Sequence, residues 1–225
     1  MNKIQKYVLE LRQLKKSEVS EVIDKICLLL TNKIRKEMPD VDDERAEIIN
    51  YGLKNIIGEI PKIFIMLGIA YALGVLKLAL ETFLIILPYR TFSGGFHLKT
   101  HIGCIVCTSL MYIGPAYLAQ YIEITGRVKI ASIIMIWIFG IIMLTLYAPA
   151  DTENVPILRK SERKQKQILS YITLTIALIV AGIIKNEIIS NIIIIGYFIQ
   201  TCTITRLAYK ITKNKYGHEV YETAS

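Results

Sequence analysis

A histidine and a cysteine lie near each other in a glycine-containing part of the sequence. Residues 90–97 read RTFSGGFH, so that His97 follows two glycines, and Cys104 comes seven residues later. A cysteine thiolate is a strong nucleophile, and histidine generates it by accepting the thiol proton or by stabilising the anion as an imidazolium. These residue types therefore predict thiol catalysis by a Cys104–His97 pair.

The spacing of the pair places a condition on the backbone between its members. On one continuous helix, seven residues span about 10.5 Å along the axis. Hydrogen bonding between a base and its nucleophile requires a separation of about 3 Å. His97 and Cys104 can therefore act together only if the chain leaves the helix between them. Gly94 and Gly95 permit such a break, because glycine adopts backbone angles that other residues avoid.

Two other interpretations of these residues remain open on spacing alone. His101 lies three residues before Cys104, within reach on a helix face, and is the rival base. The residue types of His97, His101, Cys104 and Cys107 also suit zinc. One helix presents such neighbours in a row, however, and a row cannot surround a tetrahedral ion, so a metal site is disfavoured.

Charged residues next to the apolar segments offer possible contacts for a substrate. Arg90 is either an anchor at the membrane edge or a clamp for a peptide carboxylate. Residues 147–153 read YAPADTE, in which Asp151 and Glu153 either orient a histidine or are solvated, and we favour solvation. A basic run follows and predicts cytoplasmic topology and recognition of an acidic peptide; it contains Arg159, Lys160, Arg163 and Lys164.

The composition indicates an all-α membrane protein that crosses the bilayer several times. Hydrophobic residues make up 53% of the 225 residues, mean hydropathy is +0.44, and the apolar residues come in blocks. The net charge of +8 would suggest a nucleic acid partner in a soluble protein. Here the basic residues flank apolar blocks, so anionic lipid headgroups and membrane topology explain them better.

The apolar blocks predict three regions. Residues 1–52 form amphipathic helices at the cytoplasmic membrane surface, with a helix end at Pro39, residues 53–207 form the membrane domain, and residues 208–225 form a cytoplasmic tail. About six transmembrane segments are expected, of which the second is short: Leu53–Leu76, Leu78–Leu87, Ile102–Ile122, Ile130–Tyr147, Ile168–Ile184 and Ile188–Leu207. With the basic run in the cytoplasm, six segments place both termini and the Arg90–His97 loop there as well.

A transporter of small substrates or peptides is the main alternative function, and a non-catalytic membrane scaffold is another. Transport of ions or protons needs polar or charged groups within the spans. The spans after Cys104 are almost entirely Ile, Leu and Val, with Thr, Ser and Tyr as the main polar residues. No nucleotide-binding loop of the GxxxxGK[ST] type is present, so the sequence favours an enzyme over a transporter.

Taken together, these motifs resemble the accessory gene regulator B (AgrB) family, the membrane proteases of peptide quorum sensing. The resemblance covers most of the membrane region. It rests on Arg90, Gly95, His97 and Cys104, and on the YAPADTE motif with Pro156 downstream.

The resemblance implies a cysteine endopeptidase of the cell membrane that acts on a short AgrD-like propeptide and needs no cofactor. The Cys104 thiolate, activated by His97, would attack a peptide bond and release an acidic C-terminal tail. A cysteine of the propeptide would then attack the thioester on Cys104 and form a cyclic thiolactone. Members of the family are thought to act as homodimers.

Overall fold

The computed structural model describes residues 18–38, 41–98, 101–153, 156–157 and 159–222, and every regular element among them is a helix. This confirms the all-α prediction for the described chain. The helices are α1 (Glu18–Glu37), α2 (Asp43–Ala72), α3 (Leu76–Ser93), α4 (His101–Leu118), α5 (Gly126–Tyr147), α6 (Lys160–Ile183), α7 (Glu187–Thr203), α8 (Arg206–Ile211) and α9 (Gly217–Glu222).

The chain forms two compact units, and the first comprises residues 1–65. Helix α1 is amphipathic, with Cys27 and Thr31 buried one helical turn apart and Leu29 exposed. Asp24 of α1 forms a 2.9 Å ion pair with Lys54. Pro39, where the sequence predicts a helix end, lies outside the described residues. Helix α2 runs continuously through residue 53, where the first predicted membrane segment begins.

The second unit, residues 66–225, is built around helix α7. Helix α7 packs against α3, α4, α5 and α6, and Ser190–Ile194 are buried without interruption. Close approach depends on Gly196, where an added Cβ would lie 2.6 Å from the Ile86 side chain of α3. The central position of α7 lets its C-terminal end contact loops that follow the surrounding helices.

Three of the described helices are long and apolar enough to cross a membrane by length and composition: Arg45–Ala72, Gly126–Tyr147 and Lys160–Ile183. Two shorter apolar helices, Ile102–Leu118 and Glu187–Thr203, accompany them. Each of the six predicted segments overlaps a helix, but the described helices do not establish six crossings.

The second predicted segment lies within α3, which has 18 residues and is longer than expected. Helix α3 carries Lys77, Glu81 and Arg90 among its apolar residues. Lys77 and Glu81 form an i, i+4 pair, with 4.0 Å between the ammonium and carboxylate atoms.

Candidate active site

The helix ends between the two residues predicted to do chemistry. Helix α3 stops at Ser93, His97 lies in irregular backbone, and Cys104 is in the first turn of α4. Gly94 and Gly95 have φ angles of 73° and 139°, in the region that favours glycine. The structure therefore meets the backbone condition that the Cys104–His97 pair requires, while the pairing itself stays a prediction.

The YAPADTE motif lies directly against the histidine loop, which we define as residues 94–98. Ala150 forms an isolated parallel bridge with Gly94. Its N–H donates to the Ser93 carbonyl at 2.8 Å, and its carbonyl accepts from the Gly95 N–H at 2.9 Å. An added Cβ on Gly94 would meet the backbone of Ala150, with the carbonyl carbon at 2.9 Å. The two sequence motifs thus form one site, and a glycine is needed where they touch.

Arg90 braces the histidine loop from the end of α3. Its guanidinium donates from Nη1 to Thr203 Oγ1 at 3.0 Å and from Nη2 to the Phe96 carbonyl at 2.8 Å. An added Cβ on Gly95 would collide with this guanidinium. In the described part of the chain, these contacts join α3, the loop and the end of α7. They show a structural use of Arg90 beside the two roles that the sequence suggested.

Gln200, a buried polar residue near the C-terminal end of α7, contacts the start of the same loop. The Gln200 side chain is fully buried, and its Nε2 donates to Ser93 Oγ at 3.0 Å and to the Gly94 carbonyl at 2.9 Å. A buried N–H group without an acceptor is costly, and both bonds of Nε2 end on the junction between α3 and the loop. Gln200 therefore fixes the point at which α3 ends and the loop begins.

Asp151 is buried, so the solvated interpretation that the sequence favoured is wrong. Its side chain is 0% exposed. The carboxylate accepts from His218 Nδ1 at 2.8 Å, from Arg163 Nη1 at 3.2 Å, and from the backbone N–H groups of Ile157 and His218 at 3.0 Å each. Four donors compensate for the loss of water around the charge. Asp151 does orient a histidine, but that histidine is His218. Glu153, the second acid of the motif, is half-buried.

The C-terminal segment, residues 205–222, contributes contacts that sequence reasoning missed. The Tyr209 hydroxyl donates to the carbonyls of Ala150 and Asp151, at 2.8 and 3.0 Å. The ring of Tyr216 stacks on that of Tyr209 with 4.0 Å between centroids. Asn214 Nδ2 donates to the His97 carbonyl at 2.8 Å. The sequence signal that could have indicated these contacts was the presence of Tyr209, Tyr216 and His218 in a region predicted to be a cytoplasmic tail.

Burial changes the protonation behaviour of the two stacked tyrosines. Burial, followed by the neighbouring Tyr216 and Asp151, raises the pKa of Tyr209, and Arg90 opposes this. Burial also raises the pKa of Tyr216, with a further contribution from Tyr147. Both phenols are therefore neutral hydrogen-bond donors across the physiological range.

The basic run divides into one half-buried arginine, Arg163, and several exposed charges. Arg163 pairs with Asp151 and also approaches the carbonyls of Pro149 and Ile157. Arg159, Lys160 and Lys164 are exposed at the start of α6. The exposed three are thus available to an anionic ligand.

The thiols are free, and Cys104 is only 9% exposed. The rival base His101 begins α4, and its side chain lies outside the described residues. Over the described ranges, no group of three His, Cys, Asp or Glu side chains is arranged to hold a metal ion.

The family model and the similar proteins that comparison finds all point to one family. The family model described as "Accessory gene regulator B" matches residues 27–204. A "Putative AgrB-like protein" of Listeria monocytogenes serovar 1/2a is 30% identical over 185 residues, which cover 80% of this chain and 88% of the relative. A protein of the same name from Clostridium acetobutylicum is 27% identical over 204 residues, covering 88% and 92%. No solved structure matches.

Proposed function

The chain belongs to the accessory gene regulator B family, and from this membership and the site geometry we propose that it is a membrane-embedded cysteine endopeptidase. Membership implies a membrane protein of the agr quorum-sensing system with an AgrD-like propeptide as its substrate. The proposed reaction is cleavage of that propeptide and its cyclisation to a thiolactone. The observation that carries the proposal is the helix break, which puts His97 in a braced loop and Cys104 in the first turn of α4.

In the first step, His97 takes the proton of the Cys104 thiol, and the sulfur attacks the carbonyl carbon of a peptide bond near the C-terminal end of the propeptide. The tetrahedral intermediate collapses, the C–N bond breaks, and the imidazolium returns its proton to the leaving amine. The C-terminal fragment departs, and the remaining propeptide is held as a thioester on Cys104. The first turn of α4 supports this step, because the positive end of the helix dipole favours negative charge on sulfur.

In the second step, a cysteine thiol within the propeptide gives its proton to His97 and attacks the thioester. The new S–C bond closes the ring, the bond to Cys104 breaks, and the imidazolium reprotonates the Cys104 sulfur. One thioester replaces another, and no water is consumed. The burial of Cys104 supports this scheme, because exclusion of water protects the acyl-enzyme from hydrolysis.

Charge complementarity supports the choice of substrate. The exposed side chains of Arg159, Lys160 and Lys164 form a positive patch where α6 begins, next to the connection that carries the YAPADTE motif. Such a patch attracts an acidic C-terminal tail. We also propose that the protein acts as a homodimer and that both termini and the histidine loop lie in the cytoplasm. The three regions predicted from the sequence, 1–52, 53–207 and 208–225, remain part of the proposal.

The test is intact-mass spectrometry of the purified protein in lipid nanodiscs with its propeptide. We expect release of a C-terminal fragment and an adduct on Cys104 that hydroxylamine removes. Cys104→Ala should give neither product, whereas Cys107→Ala should give both. Full cleavage by Cys104→Ala would refute the assignment of the nucleophile. Passage of intact propeptide across vesicles by a protein that never cleaves it would instead identify a transporter.

A further inference from the structure

The main chain of the histidine loop is held by several elements that are distant in sequence. The Gly95 N–H donates to the Ala150 carbonyl at 2.9 Å, and Arg90 donates to the Phe96 carbonyl at 2.8 Å. At His97 itself, the carbonyl accepts from the side-chain amide of Asn214 at 2.8 Å. The C-terminal segment therefore reaches the residue that we propose as the base.

Contacts within its own turn hold the side chain of Asn214 in place, independently of its bond to the histidine loop. After α8 the chain turns at Lys213, which has a φ of 55°, and the Asn214 N–H donates back to the Tyr209 carbonyl at 2.9 Å. Nδ2 of Asn214 also lies 2.9 Å from Thr212 Oγ1. These contacts restrict the rotamer of Asn214, so that little conformational freedom is lost when it binds the His97 carbonyl.

The C-terminal segment is fastened to the YAPADTE motif on the far side of this turn. His218 bonds to buried Asp151 through both its ring Nδ1 and its backbone N–H. An added Cβ on Gly217 would lie 2.5 Å from the Thr152 carbonyl oxygen, which shows how closely the backbones approach. The Tyr216 hydroxyl donates to the Ile204 carbonyl at 2.9 Å. The segment is thus held at both ends of the stretch that contains Asn214.

We propose that the C-terminal segment is part of the catalytic site, in which Asn214 is a positioning residue for His97 and the Asp151–His218 pair holds the segment in place. The proposal rests on the proposed function of His97 as the base. The imidazole must come within about 3 Å of the thiol to take its proton. A displacement of about 1 Å in such a site costs up to about a hundredfold in rate. By holding the His97 carbonyl, Asn214 fixes the point from which the imidazole extends.

The primary experiment compares Asn214→Ala with Lys215→Ala in the full chain in nanodiscs. Lys215→Ala removes the exposed side chain that follows Asn214 and leaves the Asn214–His97 bond and the Thr212–Asn214 contact in place. Two rates are measured: thioester formation on Cys104 at saturating propeptide, and alkylation of Cys104 by iodoacetamide without propeptide, read by peptide mass mapping. We expect Asn214→Ala to lower both rates about tenfold with KM unchanged, and Lys215→Ala to stay within about twofold of the unmodified protein.

Two further variants make the result decisive. His97→Ala separates the role of His97 as the base from the role of Asn214 as a positioning residue. If iodoacetamide alkylates Cys104 in His97→Ala at the rate of the unmodified protein, His97 is not the base. If His97→Ala slows alkylation while Asn214→Ala does not, only the positioning role is refuted. An equal loss of rate in Lys215→Ala and Asn214→Ala also refutes the positioning role.

A second pair of variants tests the Asp151–His218 pair and serves if Asn214→Ala does not fold. His218→Ala should lower the rate of thioester formation, and His218→Asn, which keeps an amide donor near the position of Nδ1, should restore most of it. Equal rates for the unmodified protein and His218→Ala would show that the C-terminal segment does not position the site.

Discussion

The Nδ1 atom of His218 lies 2.8 Å from Oδ1 of Asp151, although 67 residues separate the two in sequence. A carboxylate is only an acceptor, so Nδ1 is the donor of this bond. Asp151 of the YAPADTE motif therefore accepts a hydrogen bond from the C-terminal segment. This arrangement gives the motif an architectural role, in which Asp151 influences His97 through the segment that carries Asn214.

Replacing Asp151 by Asn should destabilise the protein strongly. The change keeps the size of the side chain but leaves Arg163 and His218 without a buried anion. Removing one partner of a buried pair typically costs about 3–5 kcal/mol, and the partial exposure of Arg163 and His218 reduces our expectation to about 2–3 kcal/mol. The measurement is the melting midpoint in detergent.

The control for this prediction is Glu162→Gln, which removes an acid from a partly exposed i, i+4 pair with Lys166. Such pairs contribute about 0–1 kcal/mol, so its midpoint should barely move. Equal midpoints for Asp151→Asn and Glu162→Gln would contradict the buried ion pair.

Gly94→Ala should disrupt the site without unfolding the membrane domain. The new Cβ meets the backbone of Ala150, which cannot move aside as a flexible side chain would. The φ and ψ angles of Gly94, 73° and −148°, lie in a region essentially restricted to glycine, so a side chain there adds about 1–3 kcal/mol of strain. We expect at least a tenfold loss of propeptide cleavage. Gly114→Ala is the matched control, because an added Cβ there has nothing within 4 Å. Wild-type cleavage by Gly94→Ala would show that the contact between the loop and Ala150 is dispensable.

Alkaline pH should weaken the attachment of the C-terminal segment. Burial raises the pKa of Tyr209 and Tyr216 in the folded protein, whereas an unfolded tyrosine ionises near pH 10. The stabilisation is complete below about pH 10 and is lost as the pH rises further, because only the unfolded chain readily releases the protons. The melting midpoint should therefore fall steeply above about pH 10.

Tyr209→Phe provides the test of this pH dependence. It removes one of the linked protons, so its midpoint should be lower near neutral pH but should fall less steeply between about pH 9.5 and 11. Ile211→Val, which changes an exposed side chain of α8 that carries no ionisable group, is the control and should keep the unmodified slope. Identical slopes for Tyr209→Phe and the unmodified protein would contradict the burial of Tyr209.

Neutralising Lys160 and Lys164 together should raise KM for the propeptide with little change in kcat. Both are exposed where α6 begins, and each exposed charge contributes up to about 1 kcal/mol. We therefore expect about a tenfold increase in KM for the double Gln variant at low salt, shrinking as the ionic strength rises. Arg127→Gln with Lys185→Gln makes the same charge change at the helix ends remote from this connection. An equal effect there would indicate a non-specific dependence on net charge.

The sequence by itself determined the helical character, the residues suited to thiol chemistry and the position of the helix break. These are local properties: periodicity records which face of a helix is apolar, and the backbone freedom of Gly94 and Gly95 acts where those residues stand. The Lys77–Glu81 pair was predictable for the same reason, since one helical turn joins its members.

Only the tertiary structure decided that Asp151 is buried and that a region interpreted as a tail completes the site. The bond from Asn214 to His97 spans 117 residues, and no periodicity of either segment records the other. Whether a carboxylate is solvated depends on the donors that distant segments bring to it, and here His218 and Arg163 supply them. Burial is a property of the packed helices, whereas the sequence records only what each residue can offer to its neighbours.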